Sequence, residues 1–155
     1  MKLPPDWSEF IALLNVHQVR YLIVGAHALA ASGRPRATQD IDFFVDPSVE
    51  NAERLGRVLV EFGFSALAGE AQLFADPPRM ATLGRPPLRI DVMNAIDGVT
   101  FEQAWAGRLE APFGEHTVCF LGPAELRQNK RASGRPKDLA DIALLDEMQS
   151  SFDNE

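Results

Sequence analysis

The stretch that decides the fold is "GRPRATQDIDFFVD", residues 33–46, in which two aspartates stand at the head of an apolar run. Asp40 and Asp42 are separated by a single residue and are followed by "FFV". Aspartate is a poor strand former, and a buried carboxylate is costly unless it is paired or bound to a metal. Two aspartates at the start of a core strand therefore indicate a function rather than a packing role.

The spacing of these aspartates predicts a metal site. Residues i and i+2 of a strand lie on the same face, so Asp40 and Asp42 project together, and their mutual repulsion favours the protonated form. A divalent cation removes that cost. A second apolar stretch, "LRIDVMN", supplies Asp91, and three carboxylates on one face are enough to hold two metal ions across a phosphoryl transfer. We therefore predict that Asp40, Asp42 and Asp91 are catalytic and bind Mg²⁺ or Mn²⁺; the alternative is a strand cap and a solvated aspartate.

A phosphate cradle is predicted just before this stretch. "RYLIVG", residues 20–25, is typical of a buried strand, and the alanine-rich "AHALAAS" that follows predicts a short helix. Gly25 would let a phosphate approach the backbone, and the free N–H groups at a helix N-terminus attract anions. We predict that Gly25 and Ala26 bind nucleotide phosphates; alternatively, Gly25 only ends the strand.

The rest of the chain predicts one α/β domain. Strand, helix, strand and helix follow one another over residues 20–63, a β-hairpin is expected from residues 79–84 and 88–93, and a further strand from 116–121. We assign residues 1–155 to a single domain with a core of about 18–121 and closing helices of about 122–149.

Composition narrows the function classes. The 155 residues are 46% hydrophobic and carry a formal net charge of −7, which argues against a protein that coats nucleic acid. The single cysteine, Cys119, excludes an intrachain disulfide. With no apolar block long enough for a membrane span, we expect a cytoplasmic protein without membrane association.

These motifs, in this order, resemble the nucleotidyltransferases of the DNA-polymerase-β type in their minimal form. The family pattern is a strand-to-helix Gly-Ser or Gly-Gly step, a spacer, Asp-x-Asp and a later third Asp; here it is "VGAHALAASGRPRATQDIDFFV" and then "RIDV". The segment "NKRASGRPKDLADIALL" resembles the closing helices of AbiEii-like nucleotidyltransferases, a group that includes toxin–antitoxin members. The resemblance covers roughly residues 18–147.

The resemblance implies a fold and a reaction. The expected fold is a small mixed β-sheet with helices packed on one side and C-terminal helices. The expected reaction transfers a nucleoside monophosphate from an NTP to an acceptor hydroxyl of RNA such as tRNA, of a protein or of a small molecule, with a toxin or antitoxin as partner. Much of the superfamily has Ser where this chain has Ala26, so one hydroxyl donor to the triphosphate is missing.

Basic residues near the motifs are further candidates for nucleotide binding. Arg34, Arg36 and Thr38 precede the aspartates in a loop and either reach phosphates or are solvated. The resemblance also implies a nucleotide-facing lysine near the turn between the closing helices. Lys130 and Lys137 both qualify, and the sequence does not separate them.

Two other functions use part of the same pattern. Glycosyltransferases hold a metal–diphosphate with Asp-x-Asp, but there the apolar strand precedes the aspartates, whereas here it follows them. A degenerate copy that acts as a binding module or antitoxin-like partner is favoured by Ala26 and by the acidic charge, and opposed by the three intact carboxylates.

Overall fold

A computed structural model describes residues 2–31, 39–85 and 88–153 of the chain. Helices and strands alternate along most of it. In chain order, the elements are α1 (Pro5–Val16), β1 (Tyr21–Val24), α2 (Ala26–Ala31), β2 (Asp40–Val45), α3 (Val49–Glu61), α4 (Ser65–Ala68), a 3₁₀ helix (Ala71–Ala75), β3 (Met80–Arg85), β4 (Leu88–Met93), α5 (Phe101–Ala106), β5 (Leu109–Phe113), β6 (His116–Phe120), α6 (Pro123–Ser133) and α7 (Pro136–Asp153).

The strands form one six-stranded mixed sheet in the order β3-β4-β2-β1-β6-β5. The central strand β2 is antiparallel to β1 and parallel to β4, and the predicted hairpin of β3 and β4 is present at one edge. Because β1 and β2 are antiparallel, the end of β1 lies beside the start of β2. This brings Gly25 next to the two aspartates, and it confirms the predicted α/β fold class.

Apolar side chains on one face of the sheet hold α1 and α3. Phe43 of β2 packs edge-to-face against Phe10 of α1 and against Tyr21, with ring centroids 5.2 and 5.6 Å apart. Ile41 and Phe43 are fully buried, as the strand alternation predicts. Phe44 shares the face of the aspartates but is covered by Phe101 of α5, at 5.2 Å. On this strand Phe44 is therefore covered, whereas Asp40 and Asp42 at its start are only partly buried.

Three elements were not anticipated from the sequence: α4, the 3₁₀ helix and β5. The strand β5 pairs antiparallel with β6 and contains Pro112, which masks its strand pattern. Proline is tolerated there because β5 is an edge strand, where one side of the backbone needs no partner. No helix in the described parts of the chain has the length and apolar character needed to cross a bilayer.

Candidate active site

The site is built where β2 and β4 run side by side. In their parallel register Asp42 lies opposite Asp91, and Asp40 lies opposite Arg89. Residues at i and i+2 share a face, so all four side chains project from the same side of the sheet. The sequence predicted that the three aspartates meet if these strands are neighbours, and the strands are neighbours.

Asp42 and Asp91 form a carboxyl pair. Their register sets the two carboxyl groups side by side, and a hydrogen bond between two carboxyl groups requires a proton on one of them, because a carboxylate is only an acceptor. Burial, then the charge of Asp91 and this hydrogen bond, and finally the charge of Asp40, raise the pKa of Asp42 to about 7. Burial and the neighbouring carboxyl groups therefore favour the protonated form of Asp42, and a bound cation would displace that proton.

Thr82 holds the carboxylate of Asp91 in place. It lies opposite Asp91 on the neighbouring strand β3, and its hydroxyl donates a hydrogen bond of 2.6 Å to Asp91 Oδ1. The outer carboxylate oxygen is thereby held in one orientation. Thr82 was not among the predicted site residues, because only the strand register places it beside Asp91.

Asp40 is bound to an arginine. Arg89 donates from Nε to Asp40 Oδ1 at 3.3 Å and from Nη2 to Oδ2 at 3.1 Å. Within residues 2–31, 39–85 and 88–153, no three acidic, histidine or cysteine side chains are gathered closely enough to hold a metal ion as they stand. The aspartates thus share a face, but the carboxylate of Asp40 is engaged by Arg89.

Gly25 has a steric role beside the pair. It has a φ of +72°, a conformation that suits glycine, and a side-chain carbon there would lie 2.6 Å from Asp42 Oδ2. Its carbonyl accepts hydrogen bonds from the backbone N–H groups of Ala28 and Leu29, which begins α2. The glycine is therefore required by the close approach of Asp42, whether or not a phosphate also binds there.

The structure separates the two candidate lysines. Lys137, in the first turn of α7, is exposed and its charge lowers the pKa of Asp42. Lys130 is buried in α6, with Nζ 2.9 Å from Asp141 Oδ2 and 3.6 Å from Asp138 Oδ1. Lys130 therefore joins the two closing helices, whereas the charge of Lys137 acts on Asp42.

Asp138 completes the joint between the closing helices. Besides Lys130 it accepts hydrogen bonds from Arg135 Nε at 2.6 Å and Ser133 Oγ at 2.7 Å. These contacts, with that of Arg135 the strongest, lower the pKa of Asp138 to about 2. Gly134, which ends α6 with a φ of +65°, allows the chain to turn directly into α7. The joint fixes where α7 begins and hence where Lys137 lies.

Two of the predicted nucleotide-binding residues are not placed by the structure, whereas the neighbourhood of His27, which was not a predicted site residue, is described. Arg36 and Thr38 lie outside the described residues. His27, next to Ala26, lies between the rings of Trp7 and Phe113, with centroids 5.2 Å away in both cases. It also shares a hydrogen bond with the Asp40 backbone, so it links α2 to the start of β2.

Comparison with solved structures identifies the architecture. A lincomycin-bound lincosamide antibiotic adenylyltransferase, LnuA, superposes with a TM-score of 0.57 over 95% of this chain and 98% of its own, at 13% sequence identity. The chain has the nucleotidyltransferase fold. A Thermotoga maritima protein assigned to the nucleotidyltransferases, TM1012, gives a TM-score of 0.55 at 13% identity, over 96% of this chain and 91% of its own. No family model and no curated protein matches the sequence.

The nucleotidyltransferase fold accounts for the order of the motifs along this chain. Its mixed sheet joins the end of β1, the start of β2 and the middle of β4, which the sequence supplies as Gly25, the Asp-x-Asp pair and Asp91. Arg89, two residues before Asp91, was not predicted as a site residue. The alternation that placed Asp40 and Asp42 together also puts residue 89 on the face of residue 91, so the signal was present in "RIDV".

Proposed function

We propose that this protein is a Mg²⁺- or Mn²⁺-dependent nucleotidyltransferase that moves a nucleoside monophosphate from an NTP to an acceptor hydroxyl. The observation that carries the proposal is the strand register that sets Asp42 opposite Asp91, two carboxyl groups on the same face of adjacent parallel strands. Such a pair is unfavourable in a resting fold, because burial and like charge both oppose ionisation. It is favourable where a cation binds.

The donor set suits a hard divalent cation. Carboxylate oxygens are the ligands that Mg²⁺ takes in proteins, usually from one or two residues together with substrate phosphates. Asp42 and Asp91 would supply the first ligands, and Asp40 would join them once it is free of Arg89. When bound, the metal would neutralise the carboxylates and polarise the phosphate oxygens.

The remaining residues have roles in binding and proton transfer. Gly25 and Ala26 would hold the triphosphate through backbone N–H groups, and Lys137 would add the positive charge that acts on Asp42. Asp91, whose orientation is fixed by Thr82, would take the proton of the attacking hydroxyl as pyrophosphate leaves. Lys130 would act indirectly by holding the joint from which Lys137 projects.

The direct test is transfer of label from α-labelled NTPs in the presence of Mg²⁺ or Mn²⁺. Three acceptor classes are offered separately: total RNA, which includes tRNA; cell proteins; and a panel of hydroxylated small molecules. We expect label in one class with release of pyrophosphate, and a fall of at least about a hundredfold for Asp42→Asn. Label transfer that survives Asp42→Asn would contradict the proposed site.

A second candidate function is a nucleotide-binding module without transfer activity. It is favoured by Ala26, which lacks the hydroxyl donor, and by the arginine held on Asp40. Nucleotide and metal binding without transfer to any acceptor would support it. Ala26→Ser is the matched variant: if restoring one hydrogen bond, worth about 1 kcal/mol, also restores transfer, the chain is a weakened enzyme.

The acceptor and partner are proposals of the same kind. Kinship with the AbiEii-like group, and with it a toxin or antitoxin partner, is supported by the segment spanning the two closing helices, residues 129–145. Transfer to a small molecule is suggested by LnuA, a lincosamide antibiotic adenylyltransferase of nearly the same extent. Cytoplasmic localisation would suit either. The three acceptor classes of the labelling experiment distinguish these possibilities.

A further inference from the structure

An arginine lies inside the carboxylate cluster, where a cation-binding site would be expected to exclude it. Arg89 projects from β4 on the same face as Asp91, and its register partner on β2 is Asp40. Its guanidinium engages both oxygens of Asp40 in a bidentate arrangement, at 3.3 and 3.1 Å. The arginine therefore covers the same lone pairs that a metal ion would use.

Stability does not account for this contact. The Arg89 and Asp40 side chains are 44% and 39% exposed, and exposed ion pairs contribute little to folding because water and salt screen them. Local electrostatics accounts for it better. With Asp42 and Asp91 on the next rung of the ladder, a positive group beside Asp40 relieves the repulsion among three carboxylates.

The same geometry sets a competition. A guanidinium and a divalent cation repel each other, and both require the Asp40 oxygens. Metal binding through Asp40 must therefore break the two Arg89 hydrogen bonds and move the guanidinium away.

We propose that Arg89 is a latch on Asp40, which occupies the metal-binding carboxylate in the resting protein and is released when the metal binds. The inference rests on the proposed function, because it takes Asp40 to be a metal ligand. It adds a regulatory contact to that site: the latch keeps the affinity for free metal low, so that the site is assembled only when metal displaces the arginine.

The test is the affinity for Mn²⁺ alone, measured by electron paramagnetic resonance or calorimetry at pH 7.5 with no nucleotide. Arg89→Gln should lower the Kd about fivefold, the scale of one exposed ion pair plus the removed repulsion. Arg89→Lys keeps the charge but loses the bidentate fork, so it should fall between the wild type and Arg89→Gln.

Arg79→Gln is the matched control. Arg79 forms a comparable exposed ion pair with Glu70, at 3.2 Å. It lies just before β3, the strand that pairs with β4. Its removal should leave the Kd within about twofold of wild type, because Arg79 pairs with Glu70 rather than with one of the three aspartates, and the loss of one exposed charge is screened by salt. Thermal melts of each variant confirm that the protein is folded.

The Kd values of the two arginine variants decide whether the latch exists. A lower Kd for Arg89→Gln but not for Arg79→Gln supports the latch. An unchanged Kd, or a higher one because Arg89 holds Asp40 in its binding orientation, overturns the latch and leaves the proposed function standing. If no folded variant binds Mn²⁺ without nucleotide, the latch is wrong, and the labelling experiment, in which NTP is present, decides the metal-dependent function separately.

Discussion

Replacing Asp42 by asparagine should stabilise the metal-free protein while removing its metal site. The pKa of Asp42 is raised from 3.8 to about 7, first by burial and then by Asp91. The difference of about three pH units corresponds to at most about 4 kcal/mol of free energy, at 1.36 kcal/mol for each. The neutral amide of asparagine avoids this cost and can still donate to the Asp91 carboxylate.

The pH dependence gives this prediction its sign. The folded state binds a proton at Asp42 more tightly than the unfolded state does. The free energy of unfolding therefore falls as pH rises from about 4 to about 7. Above pH 7 the contribution of Asp42 no longer changes with pH. Asp42→Asn should match wild type near pH 3.5 and exceed it by up to about 4 kcal/mol at pH 8.

The assay is urea denaturation in EDTA at several pH values, followed by the fluorescence of Trp7 and Trp105. In a thermal melt, a gain of about 4 kcal/mol corresponds to roughly 8–16 °C for a chain of this size. Added Mn²⁺ should stabilise wild type and not the variant, because only a ligand of the folded state shifts the equilibrium. If Asp42→Asn is the less stable protein at pH 8 by more than about 1 kcal/mol, the carboxylate is a structural hydrogen-bond partner and the reasoning is refuted.

Substitutions at three further positions test the surroundings of the pair and the contact between the closing helices. Gly25→Val should destabilise the fold by at least about 1–2 kcal/mol and weaken nucleotide binding, because a side chain at positive φ would collide with Asp42; melts and a nucleotide titration measure both. Thr82→Val should weaken Mn²⁺ binding about threefold by releasing Asp91, and Thr82→Ser should restore it. Asp138→Asn should cost about 3 kcal/mol at pH 7 by calorimetry, and the difference should shrink as pH falls from about 4 towards 2, because the pKa of Asp138 is lowered. A pH-independent loss would exclude the charge as its cause.

The elements that carry the site could be predicted because their local patterns agree with the fold. The apolar run "IDFFV" favours a strand inside a sheet, where both faces are covered. The alternation of side chains along it puts Asp40 and Asp42 on the face opposite Ile41 and Phe43. The strand β5 was not predicted because Pro112 interrupts its pattern. It is a strand because it pairs antiparallel with β6, and that pairing is not visible in the pattern of β5 alone.

The lysines show why the rest of the site could not be predicted. Lys130 and Lys137 are seven residues apart and both near the turn between the closing helices, so the sequence treats them alike. Only the packing of α6 on α7 buries Lys130 against Asp138 and Asp141 and leaves Lys137 near Asp42. A side chain's partners depend on which helix faces meet, and one helix's sequence does not contain that information.

By itself, the sequence determined the chemical types and their faces: three carboxylates in apolar strands, a glycine before a short helix, and alternation that sets the aspartates apart from the core. Local sterics and burial act within a few residues and can be followed along the chain. Tertiary structure alone decided the register, which sets Asp42 opposite Asp91 and Asp40 opposite Arg89. The strands β2 and β4 are separated by more than forty residues of chain, so their alignment depends on how the whole sheet assembles. The same alignment decides whether the Asp40 carboxylate lies beside an arginine or is open to a metal ion.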